Sequence, residues 1–305
     1  MSWFLIGALA PFFWAITNFF DKVLVERYYK GVKVGAILFY FTSVAVFLIP
    51  FMYFLGEDIG GIPMAEIAFL MVSALFYTLA LVPYFEGLNR TETSLVVPLF
   101  QLIPIFNLVL GYFILSENVA YGQMLAAFVI IFGAVGISLD FSKKIALPKF
   151  DVFLAMALSS LLYSLGNLTF KLGAEDYDFW AASFWVHVSY GLQALVIFFL
   201  FKKARTQSLD MIKKHRFKFI RIITINSTLD AFAKIAFNFA LFSAPIFLAS
   251  VVNGLQPVFV FLMGVGLTLL IPKWIKEDLS QKALLQKIFF IVMIFAGGVL
   301  LNISS

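Results

Sequence analysis

The chain has 305 residues, of which 62% are hydrophobic and only 13% charged, with a formal net charge of +5. A soluble domain is about 45–50% apolar and about 25% charged, so there is too little polar surface here to cover a globule. Disorder, collagen and coiled coil are excluded as well, because each needs charge or a short repeat. Cysteine is absent, which removes disulfides, thiolate chemistry and Cys-based zinc sites.

Stretches without Asp, Glu, Lys or Arg run over 1–20, 34–56, 67–85, 93–116, 118–139, 152–170, 179–201, 235–272 and 288–305. A hydrocarbon core of about 30 Å is crossed by about 20 helical residues, so most of these stretches fit one span. The stretch 235–272 is too long for one and contains Ser243-Ala244-Pro245, a turn signal. Divided there, it yields a span over 246–271 and the end of an earlier span that reaches back to about residue 222. The count is ten. Helices are favoured over a barrel, because runs such as Ile37–Leu55 are apolar on nearly every face where barrel strands alternate. Residues 1–20 contain Ala8-Leu9-Ala10, which looks like a cleavage site. No Lys or Arg precedes it, so a retained helix is expected.

Of the 22 basic residues, 20 fall in the odd-numbered loops, whereas the even-numbered ones carry acids such as Glu57-Asp58. Short cytoplasmic loops are enriched in Lys and Arg. The tally predicts a multi-pass protein of the cell (inner or plasma) membrane with both termini outside. The densest basic run, Lys202–Arg221, reads as a loop facing lipid headgroups. Nucleic acid is not an expected partner, since no binding fold or interleaved aromatic motif accompanies it.

The two halves resemble each other. Ala8, Leu9, Asn18 and Lys22 meet Ala157, Leu158, Asn167 and Lys171 at an offset of 149. Leu95, Leu102, Pro104, Phe106 and Gly111 meet Leu248, Leu255, Pro257, Phe259 and Gly264 at 153, and Phe128, Ala134 and Gly136 meet Phe290, Ala296 and Gly298 at 162. Five spans per half is an odd number, so the second half crosses the membrane in the opposite sense. The expected fold is an all-α membrane protein of ten transmembrane helices in two inverted five-helix repeats, 1–145 and 146–305. Secondary transporters often have such a plan, with the substrate near the midplane between halves.

The run Thr93-Ser94-Leu95-Val96-Val97-Pro98, followed by Pro104, Gly111, Glu117, Gly122 and Gly133, resembles the EamA-like repeat of the drug/metabolite transporter superfamily. The resemblance implies a transporter with no catalytic activity and covers nearly the whole chain as two repeats, the first the clearer. Two positions depart from the pattern. Position 116 is Ser where the family commonly has Gly, and the second repeat has no counterpart of Glu117. Family members usually place both termini inside, the reverse of the charge tally.

Ionisable groups within the membrane are costly, roughly 2.5–3.5 kcal/mol each on insertion scales, and usually mark a pathway. Asp230 and Lys234 lie near mid-depth of the eighth span at i,i+4 spacing, on one helical face. Lys22 and Lys171 each follow an Asn by four residues, Asn18 and Asn167, and either line the pathway or snorkel to headgroups. Glu86 is a candidate gate with Lys22 or Arg90. Gln101 and Gln256 flank Pro104 and Pro257, whose rings free backbone carbonyls able to line a cavity. Asn226, Asn238 and Asn253 also lie within spans, and Trp14, Tyr77 and Tyr163 are candidate pocket walls. Glu117 is expected to complement a helix N-terminus, and His187 to pack or make one hydrogen bond.

No nucleotide-binding P-loop, catalytic triad, paired catalytic carboxylates or metal-ligand spacing occurs, so no cofactor or metal is expected. The reading is a secondary-active or facilitative transporter of a small metabolite or drug-like solute, with a proton or other ion as possible co-substrate. The alternative is a non-transporting membrane protein, either a lipid-modifying enzyme or a partner-binding scaffold. A homodimer is compatible with the small-residue face Gly133-x-x-Gly136, which serves equally for packing within one chain.

Overall fold

The structure is a computed structural model and describes residues 2–28, 34–90, 96–138, 149–270 and 280–303. Among them every regular element is helical. In chain order these are α1 (Ser2–Gly7), α2 (Leu9–Arg27), α3 (Val34–Ala45), α4 (Ile49–Leu55), α5 (Met64–Arg90), α6 (Leu102–Ile114) and α7 (Tyr121–Ser138). Then follow α8 (Phe150–Ala174), α9 (Phe179–Leu200), α10 (Lys202–Ser243), α11 (Ile246–Val251), α12 (Gln256–Leu270) and α13 (Gln281–Ile303).

Among the described residues, seven segments are long and apolar enough to cross a membrane: Trp3–Asp21, Gly35–Leu55, Met64–Arg90, Phe150–Ala174, Phe179–Leu200, Ile246–Leu270 and Gln281–Leu301. Leu99–Ile114 and Tyr121–Ile137 are apolar but shorter. Large apolar side chains such as Phe47, Phe54 and Phe113 lie fully on the outside, as a lipid-facing surface requires.

Prolines set the helix breaks. A proline lacks an N–H, and its ring presses on the carbonyl four residues earlier. Pro11 acts on Gly7, where α1 ends. Pro50 acts on Val46, where α3 gives way to a 3₁₀ turn over Val46–Leu48. Pro104 and Pro257 act on Phe100 and Asn253, within the 3₁₀ stretches Val97–Gln101 and Val252–Leu255 that precede α6 and α12. Pro83 is the exception, because α5 runs through it.

One expectation needs correction. Residues 202–221 are not a loop. They form the first half of α10, a continuous helix of 42 residues. Ala204, Ser208, Met211, Phe219 and Ile223 are buried at helical spacing, and the Tyr40 hydroxyl donates to the Ser208 carbonyl at 2.5 Å. Lys202, Lys203, Lys213, Lys214, Lys218 and Arg221 occupy the exposed face. The run is an amphipathic helix whose basic side hid its apolar side.

The helix pairings fall into matched sets. α5 packs along α8, and α10 along α2. α9 lies against α5 as α10 lies against α3, and α6 against α8 as α12 against α2. α7 and α13 close a separate seam, where Gly133 and Gly136 admit Ile294 and the Phe290 ring. A Cβ at Gly133 would meet Ile294 Cγ1 at 2.7 Å, so this small-residue face is used within the chain.

Ser116, two residues past the end of α6, is in the left-handed region at φ 55°. An L-residue with a Cβ is strained there and glycine is not, which is a physical reason for glycine at this position. The Ser116→Gly variant is expected to be more stable by about 0.5–1 kcal/mol. This would be read as a raised thermal midpoint of the purified protein. An unchanged or lowered midpoint would contradict the strain assigned to this turn.

Candidate functional site

Between α2, α5, α8, α10 and the Val252–Leu255 break lies a cavity of about 100 Å³. Asn18, Gln101, Asn167, Asp230, Lys234 and Gln256 all line it. Trp14, Tyr77 and Tyr163 form part of the wall, with Asn238 and Asn253. Two proposed site residues lie elsewhere, Lys171 and Glu86. Lys22 sits on α2, but its side chain lies outside the described residues.

The ion pair faces the cavity. Lys234 Nζ lies 2.8 Å from Asp230 Oδ2, and the indole N–H of Trp14 donates to Asp230 Oδ1 at 3.0 Å. The ammonium also stands over the Tyr190 ring, 5.2 Å from its centroid, an attractive cation–π arrangement. The pair also borders a second, smaller cavity lined by Thr42, Thr78, His187, Tyr190 and Ser227. It thus forms a partition between two spaces. His187 packs edge-on to Tyr190 and bonds through Nδ1 to the Ser183 carbonyl at 2.8 Å.

Amides surround the pair. The Tyr77 hydroxyl donates to Asn167 Oδ1 at 2.9 Å. One buried polar atom on each of Asn18, Gln101, Asn167, Asn238 and Asn253 has no hydrogen-bond partner among the described residues. Leaving such a group bare costs about 1–3 kcal/mol, and all five of these residues line this cavity.

Sequence reasoning missed Asp21. It is 8% exposed, lines the cavity, and accepts a hydrogen bond from Asn226 Nδ2 at 2.8 Å. A signal was present, since Trp14, Thr17, Asn18 and Asp21 recur at i, i+3, i+4 and i+7, one helical stripe. Asn226, Asp230, Lys234 and Asn238 form the facing stripe at steps of four. These two stripes are the apposed faces of α2 and α10.

Lys171 lies away from this cavity. It is 8% exposed, and its ammonium donates to the carbonyls of Leu241, Ala244 and Phe242, at 3.1, 3.1 and 3.4 Å. These lie at the C-terminal end of α10, where carbonyls are unpaired and the helix dipole is negative. Beside it, the Glu117 carboxylate accepts the Ile246 N–H at 2.9 and 3.1 Å, at the start of α11. Glu117 thus complements a helix N-terminus as expected, but one far away in sequence. Burial pushes its carboxyl above the usual range, against the opposing pull of the Ile246 N–H and Lys171. Lys171 and Glu117 together clasp the break at Ser243-Ala244-Pro245.

Glu86 pairs with Arg90, whose other guanidinium nitrogen lies 2.7 Å from Asp151 Oδ2. All three side chains are about half exposed, and such pairs contribute about 0–1 kcal/mol. Among the described residues no group of three or more His, Asp or Glu is placed to hold a metal ion.

Residues 1–139 match the EamA-like transporter family. The match spans the segment whose Pro and Gly pattern carried the resemblance, together with α2, which supplies Trp14, Asn18 and Asp21. Together with the apolar helices, the match supports an integral, multi-pass membrane protein. A solved crystal structure, whose description names no activity, superposes on the chain with a TM-score of 0.65. It is 15% identical, and the alignment covers 98% of this chain and 96% of that one; at that identity the likeness shows the fold alone. No curated protein matches the chain.

The clasp has a measurable consequence. Lys171→Gln removes three charge-assisted hydrogen bonds to otherwise bare carbonyls, an expected loss of about 1.5–3 kcal/mol. Lys171→Arg should retain part of that stability. Equal thermal midpoints for the Gln variant and the parent would show that the lysine does not hold the break.

Proposed function

We propose that the protein is a secondary-active or facilitative transporter of a small metabolite or drug-like solute. It works by alternating access of two inverted five-helix halves, 1–145 and 146–305. The observation that carries this reading is the cavity's position. α2 and α5 of the first half and α8, α10 and α12 of the second all contribute polar side chains or aromatic walls to it. The matched pairings of α5–α8 with α2–α10, and of α6–α8 with α2–α12, support an exchange of equivalent contacts between halves. Among the described residues, seven long apolar segments, two shorter ones and the apolar half of α10 are compatible with ten crossings. Asp230 and Lys234 would form the core of the site, with Asn18, Asn167, Gln101 and Gln256 around them.

The orientation follows the charge tally, with the basic first half of α10 on the cytoplasmic side. Cysteines introduced at Lys203 and Lys214 are expected to react with an impermeant thiol reagent only from that side. Reaction from outside would invert the molecule.

Transport is tested in proteoliposomes loaded by exposure to a cell metabolite extract and analysed for retained solutes. The parent protein is expected to equilibrate at least one solute that empty liposomes exclude. For a purely structural ion pair, removing one partner costs about 3–5 kcal/mol, while replacing both with apolar residues is nearly neutral. For a working pair, Asp230→Asn, Lys234→Met and the double variant all lose flux, and the double variant still elutes as folded protein. Near-normal flux in the double variant would take the pair out of the mechanism.

A further inference from the structure

The basic half of α10 carries more charge than the bundle uses. Its buried face packs across the ends of three other helices. Ala204 meets Gly35 at the start of α3, where a Cβ on the glycine would lie 3.2 Å from the alanine Cβ. The Arg205 guanidinium stands over the ring of Phe198, near the end of α9, 5.9 Å from its centroid. Tyr28, at the C-terminal end of α2, meets the rings of His215 and Phe219 at 5.0 and 5.4 Å. Residues 202–221 make about 30 Å of helix at 1.5 Å per residue. The apolar segment of α9 ends at Leu200, just before them, and the apolar half of α10 begins just after them. Both of their ends are therefore held at one membrane face.

The outward side of this helix has two parts at about 100° per residue. Leu209, Phe217 and Ile220 are exposed and fall within about 80° of one another, with Lys213 between them. Phe217 is 86% exposed. Lys203, Lys214, Lys218 and Arg221 occupy the adjoining sector, about 60° wide. Asp210 is the acidic residue of the segment. Among the described residues, none of these basic side chains forms an ion pair with an acidic one.

We propose that residues 202–221 form an interfacial helix that docks on anionic phospholipid of the leaflet at that end of the bundle. Leu209, Phe217 and Ile220 insert below the headgroups, and Lys203, Lys214, Lys218 and Arg221 hold the phosphates. Water serves neither part of this surface, because the like charges repel one another and the apolar side chains stay wet. The boundary of an anionic leaflet serves both, since it offers hydrocarbon and negative charge a few ångströms apart. The Lys213 stem can lie along the apolar side while its ammonium reaches the headgroups. An acidic soluble partner would match the charges and leave the apolar side unexplained. Helices of this kind lie in the plane of the interface, which is where a helix held at both ends to one membrane face must run. This surface is separate from the cavity, and it stands whether or not the protein transports a solute.

Two measurements on the full chain test it. The chain contains no cysteine, so Ile220→Cys carries a single nitroxide label. The labelled protein is placed in vesicles of phosphatidylcholine alone and of phosphatidylcholine mixed with phosphatidylglycerol. Collision of the label with oxygen, which concentrates in hydrocarbon, is compared with collision with a water-soluble nickel chelate. In the mixed vesicles the label is expected to be open to oxygen and shielded from the chelate, whereas a label at Glu57→Cys, in an exposed loop, stays open to the chelate. In the second measurement, the purified protein is equilibrated in detergent with equal amounts of the two lipids, and the retained lipid is counted by native mass spectrometry. Phosphatidylglycerol is expected to be retained about tenfold or more over phosphatidylcholine. Replacing Lys213, Lys214, Lys218 and Arg221 together by Gln should abolish that preference. Lys213→Arg, Lys214→Arg and Lys218→Arg together should keep it. Glycerol phosphate, the soluble headgroup, should not displace the lipid. A label at 220 as open to the chelate as the one at 57, no preference for phosphatidylglycerol, a preference unchanged in the Gln variant, or displacement by glycerol phosphate would each overturn the proposal. Elution establishes that each variant is folded, and the nitroxide measurement carries the test if the Gln variant is not.

Discussion

A charge or bare polar group cannot be left in hydrocarbon, and the contact between α2 and α10 is organised by that requirement. Each helix carries a polar stripe that would be expensive to expose to lipid. Set face to face, the stripes satisfy much of each other: the Trp14 indole and the Lys234 ammonium reach Asp230, and the Asn226 amide reaches Asp21. The rest of the bundle supplies apolar cover outside and aromatic walls inside. Among the atoms the stripes leave unsatisfied, those of Asn18 and Asn238 border one cavity, as do the amides of Gln101, Asn167 and Asn253. The unpaired amides at the cavity are the observation on which its proposed role as a ligand surface rests.

A second requirement is satisfied at the break between α10 and α11. Interrupting a helix bares carbonyls at one end and N–H groups at the other. In water these would be solvated, but within a membrane protein other parts of the chain must reach them. Lys171 from α8 and Glu117 from the turn after α6 do so with opposite charges matched to opposite helix ends. Four elements therefore meet at one point, α6, α8, α10 and α11. Any movement of α10 against α8 must either carry this clasp along or open it. The other breaks follow from proline chemistry, with Pro104 and Pro257 producing similar 3₁₀ stretches in the two halves.

Local features were legible in the sequence and distant ones were not. The turn at Ser243-Ala244-Pro245 and the Asp230–Lys234 pair depend on residues a few positions apart, and the structure has both. Asn18 and Asn167 were found through the repeat, and both line the cavity. Asp21 was hidden because it ends a charge-free stretch and precedes Lys22, so it read as the start of a loop. The first half of α10 was hidden because its basic face swamped the four-residue spacing of Ala204, Ser208 and Phe219 with Ile223. Lys171 looked like a pathway or interfacial residue. Its partners are backbone carbonyls some 70 positions away, and no sequence pattern encodes them. Glu86 was placed correctly near Arg90, but their contact lies among half-exposed groups outside the cavity.

Alternating access, as proposed, requires the cavity to open to each side of the membrane in turn. The chain contains no cysteine, so a single Asn18→Cys substitution gives a unique reporter on the cavity wall. The measurement is its reaction with a membrane-impermeant thiol reagent in sealed vesicles of both orientations. Alternating access predicts labelling from either face. Labelling from one face alone, or from neither, would contradict it.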